Sequence, residues 1–107
     1  MNIIFGKTKE LEEKYTVLEL DTIRIGLGGP VQTAYCIVEN IPIEEMPAVE
    51  TFKELHSNLL ENYRNKHWTD CDRLVAQLMG KWGGELDSFY VSITDRIDEI
   101  MDSFYSG

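Results

Sequence analysis

Apolar residues recur at every second position in the first part of this chain and at every third or fourth position after residue 47, a change of period that calls for strands followed by helices. Between the two regimes lies NIPIEEMP, residues 40–47, where Pro42 and Pro47 can neither donate to a strand ladder nor sit in a helix interior. The segment reads as a linker, with Pro47 suited to the first position of the following helix.

Ahead of the linker the pattern is that of strands. Residues 1–5 form a short apolar run ended by Gly6, and residues 7–14 are charged, with no element assigned to them. In YTVLELDTIRI, residues 15–25, Leu18 and Leu20 alternate with Glu19 and Asp21, as in a half-buried strand. The alternation then changes phase, since Ile23 and Ile25 flank Arg24, and a β-bulge near Asp21 and Thr22 would absorb the slip. GLGGP, residues 26–30, reads as a hairpin turn, and VQTAYCIVE, residues 31–39, as the returning strand. Both alternate sets of that strand hold apolar groups, which predicts a central strand or one covered on both faces.

Beyond the linker the spacing is helical. Val49, Phe52, Leu55, Leu59 and Tyr63 mark one face to about Arg64. Thr69 with Asp72 resembles a capping box opening a second helix, whose stripe is Cys71, Leu74, Val75, Leu78 and Trp82 and whose end is Gly83-Gly84. A third has Leu86, Phe89, Tyr90, Ile93, Ile97, Ile100 and Phe104 facing inward. The expected architecture is α+β: an N-terminal antiparallel β-hairpin or three-stranded sheet followed by three antiparallel α-helices. At 107 residues this makes a single domain, 1–107, strand-rich over 1–40 and helical over 47–105.

Net charge is −9, from 10 basic and 19 acidic side chains, and such a field repels phosphate backbones. Nucleic acid is therefore not an expected partner, whereas a basic protein is compatible with this charge. No apolar run approaches the roughly 20 residues needed to cross a bilayer, and residues 1–5 carry neither a cationic n-region nor a cleavage site. The expectation is a soluble, cytoplasmic protein without membrane partners. Cys36 and Cys71 fall in apolar patterns and read as buried thiols.

Two resemblances add to this. LLENYRNKHWTDCDRLVAQL, residues 59–78, resembles one helix-turn-helix unit of the tetratricopeptide kind, with Tyr63 closing the first helix, Trp68 plugging the turn and Cys71 at the crossing. One unit makes no solenoid, so the segment reads first as a plain helical hairpin with an aromatic plug. KYTVLELDT, TAYCIVENIP, ENYRNKHW and GKWGGELDSFY together resemble small uncharacterised proteins of marine tailed phages. That likeness implies an origin, a size class and a host cytoplasm, and no residue roles.

The motifs that invite chemistry have the wrong spacing. Residues 80–87, GKWGGELD, place glycines and a lysine before a helix, but miss the GxxxxGK[ST] order and put Glu85 and Asp87 where phosphate would sit. GLGGP lacks the dinucleotide GxGxxG order. Cys36 or Cys71 with His56 or His67 would need an exposed, electropositive thiolate, which an acidic chain with apolar-stripe cysteines does not offer. His67 and Cys71 make half a metal site with no second pair. Glu19 and Asp21 project together and could be an acid/base pair, though exposed charges on a strand also discourage edge pairing. Asp95, Asp98, Glu99 and Asp102 share one side of the third helix and lack a calcium-loop pattern, so they read first as its solvated face.

No catalytic residue, cofactor or metal site is expected. The aromatic content of the helical half exceeds what a hairpin needs; most of these rings fall on the apolar stripes and read first as core, and Trp68, Trp82, Tyr90 and Tyr105, with Asp95, Asp98, Glu99 and Asp102, form the candidate interaction surface. The expected function is a non-enzymatic protein–protein interaction module or small assembly subunit, binding another protein or itself as a homodimer. The alternative is an acidic phage-encoded decoy that inhibits a host nucleic-acid-binding protein by offering carboxylates in place of phosphates.

Overall fold

The computed structural model describes residues 2–24, 31–39 and 41–106. Strands β1 (Asn2–Ile4), β2 (Thr16–Arg24) and β3 (Val31–Val38) form an antiparallel sheet in the order β1-β3-β2. The strand that is apolar on both alternate sets is the central one. Leu18 pairs with Cys36, and Leu18, Leu20, Ala34, Cys36 and Val38 make the buried face. The expected bulge is present: Glu19 pairs with Tyr35 and Thr22 with Thr33, so Leu20 and Asp21 together oppose Ala34. The hairpin turn assigned to residues 26–30 lies outside the described residues.

Both outer strands run antiparallel to β3 and hence parallel to each other, so the chain must cross a face of the sheet between them. The crossing carries α1 (Lys9–Lys14), a helix not expected from the sequence, which makes four α-helices rather than three among the described residues. Thr8 caps it, its Oγ1 accepting from the Leu11 N–H at 3.2 Å. The crossing passes over the face opposite Cys36, where the Lys7 ammonium lies 5.6 Å from the ring centre of Tyr35.

A 3-10 segment (Ile43–Ala48) leads into α2 (Val49–Arg64), so Pro47 lies inside the preceding 3-10 segment rather than opening the helix. The end of α2 is a Schellman motif, with His67 N–H on the Asn62 carbonyl (2.9 Å) and Lys66 N–H on that of Tyr63 (3.2 Å). Lys66 occupies the left-handed position, φ 62°, usually taken by glycine. Helix α3 (Trp68–Leu78) comes immediately after, and Trp68 meets Tyr63 edge-on at 5.8 Å. The expected capping box does not form: α3 begins one residue ahead of Thr69, and the residue before it, His67, makes no side-chain cap.

Gly83-Gly84 does not end α3 either. The helix stops at Leu78 in a turn closed by Lys81 N–H on the Leu78 carbonyl (3.0 Å), with Gly80 at φ 80° supplying the positive φ that a type II turn requires. Trp82 thus leaves the α3 stripe and starts a separate 3-10 turn (Trp82–Gly84) before α4 (Asp87–Ser106). Leu86, Tyr90, Ile93 and Ile97 are buried, as expected, whereas Ile100 is 44% exposed. The 20-residue α4 outruns the 11-residue α3 on which it packs. The side chain of Phe104 lies outside the described residues.

Candidate functional site

β1 is only three residues long, and beside its end an apolar groove opens between the sheet and α4. Ile3 pairs with Cys36, which places its side chain on the helix-covered face, yet Ile3 and Phe5 are 49% and 52% exposed because α4 does not reach the sheet edge. The gap is a groove of about 330 Å³ whose walls include Ile3, Phe5, Leu20 and Ala34 from the sheet and Phe89 from α4. Asp21, turned into the groove by the bulge, binds Arg96 of α4 at 2.7 Å across it. On α4 the groove is bordered by Ser88 and Ser92, and helical spacing continues that row through Asp95 and Glu99.

The expected surface residues divide. Asp95, Asp98, Glu99 and Asp102 lie along α4 on its solvent side, and Trp68 is half-buried against Tyr63. Trp82 and Tyr90 are both 0% exposed, so they belong to the core and to no surface. The side chain of Tyr105 lies outside the described residues.

What Trp82 and Tyr90 build instead is a buried polar chain centred on His56, which is 2% exposed. The Trp82 indole N–H donates to the Tyr90 hydroxyl at 3.0 Å, the hydroxyl lies 2.9 Å from His56 Nδ1, and His56 Nε2 lies 2.5 Å from the Glu19 carbonyl at the edge of the bulge. A carbonyl only accepts, so Nε2 carries the proton, Nδ1 accepts from Tyr90, and every polar atom in the chain is matched by a neutral imidazole. Burial pushes the His56 pKa down, against the pull of its bond to the Glu19 carbonyl, and holds the Tyr90 hydroxyl protonated far above the usual tyrosine range. Sequence reasoning weighs His56 only as a thiol's partner. The signal it offers is position: a polar residue between Phe52, Leu55 and Leu59 on the inward stripe of α2.

Residues 80–84 do form a cradle of backbone N–H groups, with Gly80, Trp82, Gly83 and Gly84 all at positive φ. Its occupants are the chain's own carboxylates. Asp87 accepts from Gly80 N–H at 2.8 Å, and Glu45, from the linker, accepts from Trp82 N–H at 2.6 Å and more weakly from Gly83 N–H at 3.4 Å. Trp82 at φ 57° carries backbone strain of about 1–3 kcal/mol. The Glu45 carboxylate and the burial of the indole offset it. Glu45→Ala is expected to cost about 1–2 kcal/mol in urea unfolding by leaving the Trp82 N–H without its acceptor. Glu45→Gln, which keeps an acceptor, should cost visibly less.

A second cleft, of about 360 Å³, lies between α1, β2 and α2 beside His56. Its charged lining is paired: Glu12 with Lys7 (2.8 Å), Glu19 with Arg64 (2.9 Å) and Lys53 with Glu50 (3.5 Å). Cys36 and Cys71 are buried thiols, and burial with the nearby Asp72 and Asp70 raises the Cys71 pKa away from thiolate chemistry. His67 turns to Asn62 Oδ1 (3.2 Å) while the Cys71 thiol points at the Leu59 carbonyl (4.0 Å), so the two do not converge. Among the described residues no group of three or more His, Cys, Asp or Glu is placed to hold a metal ion, and no helix is long and apolar enough to cross a membrane. No family model, no curated protein and no solved structure matches the chain.

Proposed function

We propose that the protein is a non-enzymatic protein–protein interaction module, a small subunit that holds another protein in the groove between the β1 edge and α4. The observation that carries this is the half-exposure of Ile3 and Phe5 at the mouth of an apolar groove, a cost in water that a partner would remove. The charged residues of the cleft beside His56 support it, because Glu12, Glu19 and Lys53 are each held in an ion pair. Association with another protein is favoured over a homodimer, since two copies would each bring a charge of −9.

Affinity capture with the wild type and with Phe5→Asp tests the reading, circular dichroism confirming that both are folded. A partner retained by the wild type and lost at least tenfold by Phe5→Asp is the expected result, in line with placing a charge in an apolar contact. A chain that stays monomeric by light scattering and retains no protein at any salt concentration overturns it. The acidic-decoy reading rests on the row Asp95, Asp98, Glu99 and Asp102 along α4. It expects the opposite pattern: capture that survives Phe5→Asp and is lost at about 1 M salt, where the Debye length falls to about 3 Å.

A further inference from the structure

We infer that the groove takes an extended, lysine- or arginine-bearing segment of the partner protein, added as a strand beside the open part of β3; this rests on the interaction-module reading. β3 is longer than the strand that flanks it. β1 pairs with Tyr35, Cys36 and Ile37, and the chain then turns away at Gly6, φ 125°. Among the described residues, 31–34 of β3 lie against β2 on one side and have no strand on the other. The sheet therefore has a step, along which the outward-pointing backbone N–H and C=O groups have no strand partner among the described residues.

The groove lies directly beneath this step. Ala34, the β3 residue that lines it, is also the one opposite the bulge, and Phe5 borders the same space from the end of β1. A chain laid along the step would bond to the β3 backbone, and its side chains would alternate between the two faces of the sheet. Those on the inner face would enter the groove between Phe5, Leu20 and Phe89, which calls for apolar residues at every second position.

Charge selects the rest of the segment. Among the described residues the one cation lining the groove, Arg96, is held by Asp21, while the α4 row that borders the groove continues in Asp95 and Glu99. The rim is thus acidic on an acidic molecule, which attracts Lys or Arg flanking the apolar positions and repels a second copy of this chain. Basic side chains alternating with apolar ones would set the apolar groups over the groove and the cations within reach of the rim.

The experiment uses the full, 15N-labelled chain titrated with three capped heptapeptides: alternating lysine and valine, alternating glutamate and valine, and the lysine peptide with N-methyl groups on alternate amides, made in both registers. The expected result is saturable shifts of amides in residues 3–5 and 31–34 with the lysine peptide and binding roughly tenfold weaker for the glutamate peptide. At least one N-methyl register should abolish binding, because it removes the donors that face β3. Equal binding of both charge types, indifference to both N-methyl registers, or shifts elsewhere on the molecule each overturn the inference. So does a concentration-dependent dimer in which residues 31–34 shift without peptide. If the peptides fail while capture still depends on Phe5, strand addition falls and the interaction module stands. Loss of both removes both.

Discussion

Tyr90→Phe is expected to lower the unfolding free energy by about 2–4 kcal/mol, although it removes a single oxygen atom from a side chain that never meets solvent. That hydroxyl is the shared member of the buried chain, accepting from the Trp82 indole and donating to His56 Nδ1. Its loss leaves one buried donor and one buried acceptor unmatched, at about 1–3 kcal/mol each, at a depth that solvent does not reach. Urea unfolding monitored by tryptophan fluorescence and by circular dichroism reads the effect. His56→Leu in the Tyr90→Phe background should cost less than His56→Leu alone, because the acceptor that the first change orphaned is then gone. A loss below about 1 kcal/mol for Tyr90→Phe would contradict the bonding scheme.

Acid is expected to destabilise the fold through the same chain, with the onset near pH 6.5. The folded-state pKa of His56 lies below its unfolded value because burial opposes the charged ring. Between the two values the unfolded chain binds a proton that the folded one refuses, so stability falls as pH falls from about 6.5 and levels off below the folded pKa. The slope in that window approaches about 1.4 kcal/mol per pH unit, and above it His56 contributes no pH dependence. The Tyr90 hydroxyl, which faces His56, stays protonated throughout this window and adds nothing to the dependence. Protonation at Nδ1 would also set two donors against each other at Tyr90. Thermal unfolding of wild type and His56→Gln between pH 5 and 7.5 measures it, and an unchanged slope in the variant would assign the acid sensitivity elsewhere.

The features legible in the chain were those a short window can hold. A change of phase from Leu18 and Leu20 to Ile23 and Ile25 is visible locally, and it located the bulge within a residue or two. The apolar content on both alternate sets of residues 31–38 marked the central strand for the same reason. Helix ends were less legible. Thr69 and Asp72 have the spacing of a capping box, but the Schellman turn at Lys66 delivers the chain into α3 before Thr69 is reached. α1 has only Leu11 as an apolar anchor and buries nothing; it exists because the chain must cross the sheet between β1 and β2.

The groove and the buried chain were not legible, because each depends on residues distant in sequence. His56 lies 34 residues from Tyr90 and 37 from Glu19, and no local pattern shows that a tyrosine, an indole and a bulge carbonyl will converge on it. The groove depends on where β1 stops along β3 and how far α4 falls short of the sheet edge. By itself the sequence determined the α+β class, the proline-bounded change of period, the acidic field and the core faces of the long elements, since these come from propensity, periodicity and charge counted along the chain. Tertiary structure alone decided that Trp82 and Tyr90 are bonded in one buried chain with His56, and that Ile3 and Phe5 stay half-exposed. The cost of burying an indole N–H or a hydroxyl depends on whether a partner is in reach, and reach is a property of the packed chain.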